Sequence, residues 1–344
     1  MHIDVMTQPG TWDEVQRLAT TVEGAGFSGM VMIEWSRPPW LSVAAAHHAA
    51  PTLHLATGIA VAFPRSPMIT AQTAWELAEL TRGRFRLGLG SQVRAHVERR
   101  YGVAFQPPVA RLRDYVLAVK ASWAAFREEA PLDHEGPYYR HTLLPAMARP
   151  RRHDHEQLAV DIAAVGPAMV KAAGEVADGI HVHPLHSVHY LQHRLLPALE
   201  LGTSASGRAV DDVALTVPVF AAPGDSPEER AALVDQVRSQ IAFYGATKNY
   251  AYQFDDVGYE GTSARLNERL KAGDPAGMAA LITDEMLDLF AVVCRWDELA
   301  DELTARYGTL ASRVVMYTAA DDMARRPDHV AKWGEVARAV RAAS

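Results

Sequence analysis

The chain has 344 residues, 49% of them apolar, and carries 34 basic against 41 acidic side chains for a formal charge of −7. That length can bury one large core or two smaller ones, and no Lys/Arg block is long enough to track a phosphate backbone, which argues against nucleic acid as a partner. The single cysteine, Cys294, excludes an intrachain disulfide framework and a cysteine-rich metal site. With no long apolar segment and no leader pattern after Met1, a soluble cytoplasmic protein with no membrane partner is expected.

The first ninety residues alternate short β-branched or Met-rich runs with segments of helical periodicity. Residues 2–6 read as a strand; Trp12, Val15, Leu18, Ala19 and Val22 then share one helical face, and Gly26 is placed to end that helix. Residues 28–33 are the second strand and 41–49 a short helix. The third strand spans 53–62 and its helix 68–80, with Ser66 as N-cap, Pro67 at the first helical position and Gly83 just past the end. The fourth strand is 85–90. Further on, strands at 158–164, 179–182, 214–221 and 312–317 alternate with helices at 167–177, 188–201, 227–244 and 328–342. Eight strands without hairpin signals predict an α/β protein, a single (β/α)8 TIM barrel over residues 1–344. Segments 130–156 and 245–288 exceed a minimal barrel and are expected as insertions at its C-terminal mouth.

A barrel of this kind does its chemistry where the strands end. The second strand runs into Glu34-Trp35-Ser36, the third into Phe63-Pro64-Arg65 and the fourth into Gly90-Ser91-Gln92-Val93. The fifth reaches Val165-Gly166-Pro167, a small-residue turn into a helix whose first N–H groups can bind an anion. Gly88-Leu89-Gly90 lacks the third glycine and the acidic partner of a dinucleotide fingerprint, so a Rossmann reading falls. His181 and His183 alternate along the sixth strand and both face the barrel interior. Such a pair can hold a metal, but only Glu34 stands near as a further ligand, so polar lining of a pocket is the expectation and no metal is. His153 and His155 lie in a charged run outside any strand, and Ser36 and Ser91 lack a nucleophile elbow.

These strand ends together resemble the bacterial-luciferase-like (β/α)8 proteins, and within them the branch that uses the deazaflavin coenzyme F420. The resemblance is carried by ATGIAVAFPRSPMITAQTAWELAELTRGRFRLGLGSQ from Ala56 with ERRYG shortly after, by EGPYYRHTLL from Glu135, by AAVGPAMVKAAGEVADGIHVHP from Ala163 and by SRVVMY from Ser312. It implies a non-prolyl cis peptide at Gly58-Ile59, forming a bulge that backs the ring of a flavin or deazaflavin, with Trp35 and Ala60 also among the coenzyme contacts. Ser91 and Gln92 resemble ring or ribityl contacts, with His96 one turn on. Val165, Gly166, Pro167, Ala168 and Met169 resemble the coenzyme's phosphate cradle.

Two departures narrow the chemistry. The family's alcohol and sugar-phosphate dehydrogenases pair a histidine ahead of a Pro-Trp with a glutamate beyond the Gly-x-Gly; here Pro39-Trp40 is kept, but those positions read Ser36 and Val93. Neither side chain can take an alcohol proton near neutral pH. The resemblance therefore implies an F420-dependent oxidoreductase acting as a reductase on a small organic substrate. An FMN-dependent monooxygenase and a non-catalytic F420- or flavin-binding protein are the alternatives. His183 and His181 are the expected proton donors, Glu34 could orient one of them, and Ser36 completes the catalytic candidates. Trp75, Leu77 and Leu80 on one helix suggest apolar surface for a homodimer.

Overall fold

A computed structural model describes residues 1–8 and 10–343. Its strands, in chain order, are β1 (His2–Thr7), β2 (Gly29–Met32), β3 (His54–Thr57), β4 (Ala60–Val61), β5 (Phe85–Gly90), β6 (His134–Glu135), β7 (Arg140–His141), β8 (Val160–Ala163), β9 (Gly179–His181), β10 (Ala214–Pro223), β11 (Ala291–Cys294) and β12 (Arg313–Met316). Parallel pairing runs β1-β2-β3-β5-β8-β9-β10-β12 and returns to β1, which closes an eight-stranded TIM barrel. The third strand predicted at 53–62 is split in two: β3 ends at Thr57, the Gly58-Ile59 peptide is cis, and β4 resumes on the end of β5.

Strand alternation explains the two sides of the wall. Ile3, Val5, Met30, Leu55, Leu87, Ile162, Ile180, Val217 and Val314 point outward into the layer under the helices. The alternate residues fill the interior, and they form levels of different chemistry. At the N-terminal end stand His2, Asp4, His54, Arg86, Asp161 and Arg313, around a cavity of about 350 Å³. Met6, Val31, Ala56 and Val315 make an apolar middle level, with Ile33 and Tyr317 packed against it.

The helix after β4 begins where its sequence signal says. Ser66 accepts the Met68 N–H with Pro67 following, and Thr11 and Glu14 form a reciprocal capping box. Gly26 ends the first helix at φ 93°, a left-handed conformation that suits glycine. The helix Pro108–Phe126 was not among the predicted elements, although Leu112, Tyr115, Val116, Val119, Trp123 and Phe126 are buried along it at helical spacing. β11 was also missed; its four residues extend the far end of β10.

The two insertions differ in kind. Segment 130–156 does not sit only at the mouth. It carries the β6–β7 hairpin, places Tyr139 on Arg111, and then runs down the outer wall, where the Arg151 carbonyl accepts from Trp75 Nε1 and His153 packs on the Trp75 ring. The strap covers Trp75, Leu77 is buried as well and Leu80 is exposed, so two of the three residues expected at a dimer face are core. Segment 245–288 folds as short helices over the helix Pro227–Gly245, around Phe254, Leu266, Met278 and Met286. It reaches the mouth through Tyr250 and Tyr252.

Candidate functional site

The bulge is clamped from below and from the side. Glu34, its side chain 5% exposed, accepts from the Val61 N–H at 2.7 Å and takes a forked pair of bonds from Arg65, at 2.8 and 2.5 Å. Arg65 also donates to the Val61 carbonyl at 2.7 Å, and its guanidinium lies 5.6 Å from the Trp40 ring centre. Both lone-pair faces of Glu34 are thereby used in holding β4. The expectation that Glu34 orients a histidine is corrected: it binds Arg65, brought near by the turn at the end of β4. A Cβ on Gly58 would stand 2.2 Å from Val31 Cγ1, and one on Gly90 would stand 2.7 Å from Ile59 Cδ1, so the bulge has room for backbone only.

The two histidines part company. His181 lies beneath the bulge, 5% exposed, with its ring 3.3 Å from where a Gly58 Cβ would be. Its Nε2 has no hydrogen-bond partner and stands 3.6 Å from Asp161 Oδ2; burial lowers its pKa, against the pull of Asp161. A residue under the bulge faces the ionic end of the barrel rather than the mouth, which corrects its expected place beside a substrate. His183, two residues on, does reach the mouth. Its Nδ1 accepts the Leu185 N–H at 3.1 Å, and its ring packs on Tyr250 at 4.5 Å and Tyr244 at 4.8 Å. Burial among these rings pushes its pKa down to about 3.

A histidine with that pKa is neutral at working pH, and the bond at Nδ1 puts the proton on Nε2. For His183 the expected proton transfer near ambient pH gives way to hydrogen-bond donation from a neutral N–H. Beside it, the Tyr244 and Tyr317 hydroxyls share a hydrogen bond of 2.7 Å, and burial raises the pKa of both, so they stay protonated. Tyr244, Tyr250 and Tyr317 were missed as site residues. The alternation of β12 points Tyr317 inward and was legible, whereas Tyr244 and Tyr250 come from a helix and an insertion that fold back.

On the opposite side, Trp35 is 51% exposed and stacks edge-on with His96 at 5.2 Å, with Arg100 over the same ring. Ser36 and Val93 are exposed in the flanking loops. Gln92 adopts φ 59°, uncommon for a side chain with a Cβ, and its Oε1 accepts the Val93 N–H at 2.9 Å; Ser91 is half-buried beside it.

The turn after β8 forms the third part. Gly166 caps the helix Pro167–Val176, and the Met169 and Val170 N–H groups return to its carbonyl. Pro167 has no N–H, which leaves Gly166 and Ala168 as the free donors of this turn. Nothing lies within 4 Å of a Cβ built on Gly166. The Val165 carbonyl accepts from Tyr190 and Tyr252 at 2.6 and 3.0 Å, fixing the turn, and a cavity of about 210 Å³ opens beside it, lined by His193 and Arg194 among others. Arg194 pairs with Asp256 and covers the Tyr252 ring at 4.9 Å. Free N–H donors, open space and a guanidinium suit a phosphate group here.

Among the described residues no cluster of three His, Cys, Asp or Glu could hold a metal, and no helix is long and apolar enough to cross a membrane. Over residues 1–313 the sequence matches the family described as luciferase-like monooxygenase. An uncharacterised Mycobacterium tuberculosis protein is 38% identical over 297 residues, covering 86% of this chain and 87% of the relative. The fold is similar to that of the coenzyme F420-dependent tetrahydromethanopterin reductase from Methanopyrus kandleri, with TM-score 0.78, 18% identity and 97% of each chain covered. It is also similar to a monooxygenase from Streptomyces bottropensis, with TM-score 0.68, 19% identity and coverage of 97% and 98%.

Proposed function

The chain belongs to the luciferase-like monooxygenase family, and we propose that within it this protein is a deazaflavin-dependent oxidoreductase working in the direction of reduction. One observation carries the direction. The polar groups facing the mouth from β9 and β12 are neutral donors, His183 Nε2–H and the tyrosine hydroxyls, and no side chain among them can remove an alcohol proton. The positions where alcohol-oxidising relatives keep a base hold Ser36 and Val93, both exposed and without an acid/base group of use near neutral pH. Donors of this kind stabilise an oxygen on which negative charge grows during reduction.

For the coenzyme, the likeness to a coenzyme F420-dependent reductase supports deazaflavin, and the likeness to a monooxygenase keeps FMN as the second reading. Reduced deazaflavin would supply a hydride, whereas reduced FMN would activate oxygen. In either case the Gly58-Ile59 bulge would back the ring, Gly166 and Ala168 would hold the phosphate with Arg194 near, and Trp35, Ser91, Gln92 and His96 would bound the ring and chain between. Titrating the purified protein with each coenzyme, followed by absorbance, tests the reading. Saturable binding of deazaflavin is expected; tight FMN binding with none of deazaflavin would remove it. In the same titration Gly166→Leu is expected to weaken binding by about tenfold. Its effect on stability is expected to stay within about 0.5 kcal/mol, because the added side chain enters open space.

A further inference from the structure

The ends of β9, β10 and β12 and the segment that folds over them bring together His183, Phe220, Tyr244, Tyr250 and Tyr317. Rings make up its walls: Phe220 meets Tyr317 edge-on at 4.9 Å, and His183 sits between Tyr244 and Tyr250. The polar equipment is neutral throughout. In the Tyr244–Tyr317 pair one hydroxyl hydrogen is used between the two oxygens, which leaves the other free to donate outward. His183 contributes Nε2–H, as its Nδ1 is taken.

Among the described residues no Asp, Glu, Lys or Arg side chain hydrogen-bonds or ion-pairs with any member of this group.

We infer that this wall is the substrate-recognition surface and that it takes a flat, uncharged carbonyl compound. The carbonyl oxygen is held by the neutral N–H and O–H donors and the carbon skeleton lies against the rings. The inference rests on the oxidoreductase reading only in supposing that the bound molecule is the substrate. A carboxylate in the same place would be stripped of water with no cation to meet it. A surface built to hydrogen-bond one neutral oxygen also rejects molecules that lack it.

Calorimetric titration with benzylideneacetone, and with cinnamate as the carboxylate on the same skeleton, tests this. Each is measured on the full-length protein alone, with deazaflavin and with FMN. The ketone is expected to bind at least roughly tenfold more tightly than cinnamate. Tyr317→Phe and Tyr244→Phe are each expected to weaken ketone binding by about threefold or more, with coenzyme titration unchanged. Equal or tighter binding of cinnamate, no ketone binding in any of the three states, or full ketone affinity in both variants overturns the inference. Ketone preference that depends on Tyr317 and Tyr244 while neither coenzyme binds would sustain the recognition surface and sink the oxidoreductase reading. Deazaflavin binding without ketone preference would do the reverse.

Discussion

The two ends of the barrel interior are built on opposite principles. At the N-terminal end, charges are buried and cancelled pairwise: Asp4 takes Arg313 on both oxygens at 2.5 and 2.6 Å, and Asp161 takes Arg86 at 2.6 Å. At the mouth, His183, Tyr244, Tyr250 and Tyr317 carry no charge, and their donors are only partly used. A paired charge is a structural commitment, since losing one partner strands the other in a poorly solvated place. A neutral donor costs less to leave waiting and can turn toward whatever arrives. His181 and His183 differ within three residues: one is buried 3.6 Å from Asp161 with its Nε2 unbonded, the other faces the mouth.

Breaking the ionic end gives the largest expected effect. Arg313→Ala leaves Asp4, 1% exposed, without its counter-charge, and is expected to lower unfolding free energy by about 3–5 kcal/mol. Urea denaturation measures it, and a loss under about 1 kcal/mol would mean that the pair is solvated after all. Glu34→Ala comes next, because it frees the Val61 N–H and Arg65 together. About 2 kcal/mol of stability and a weaker coenzyme titration are expected; unchanged coenzyme affinity would show that β4 keeps its shape unaided.

At the mouth, His183→Ala is expected to lower turnover at least roughly tenfold, about 1.4 kcal/mol in the barrier, with coenzyme affinity nearly unchanged. His181→Ala, in contrast, is expected to act on stability before turnover, and the reverse order in steady-state kinetics and melting would contradict the placement under the bulge. The smallest effect concerns pH. His183 and His186 have folded pKa values of about 3 and about 4, below the ordinary 6.5. The unfolded chain therefore binds more protons, so their stabilising contribution is complete above about pH 6.5 and declines as pH falls toward 4. Urea midpoints measured from pH 7 to 4 are expected to fall more steeply in the wild type than in His186→Gln.

Much of this was legible beforehand. Strand alternation identified all eight barrel strands, and the Ser66-Pro67 and Gly26 signals marked helix ends because capping depends on residues close in sequence. The strand-end rule also found the neighbourhoods of Glu34, Gln92, Gly166 and His183. It did not find their partners. Trp75 looked like surface because the strap that covers it begins more than fifty residues later, and Glu34 looked free because Arg65 returns to it only through the turn at the end of β4. β11, four residues long, carries too little pattern to stand apart from a buried helix segment.

By itself, then, the sequence determined the alternation of strands and helices, the direction each strand residue faces and the free helix start at Gly166, since these follow from periods of 2 and 3.6 and from local capping. Only the tertiary structure decided which charges cancel, which histidine reaches the mouth and which tyrosines join it. Burial and hydrogen-bond partners are set by segments distant in the chain, and those surroundings decide whether an imidazole is a locked core group or a donor facing a ligand.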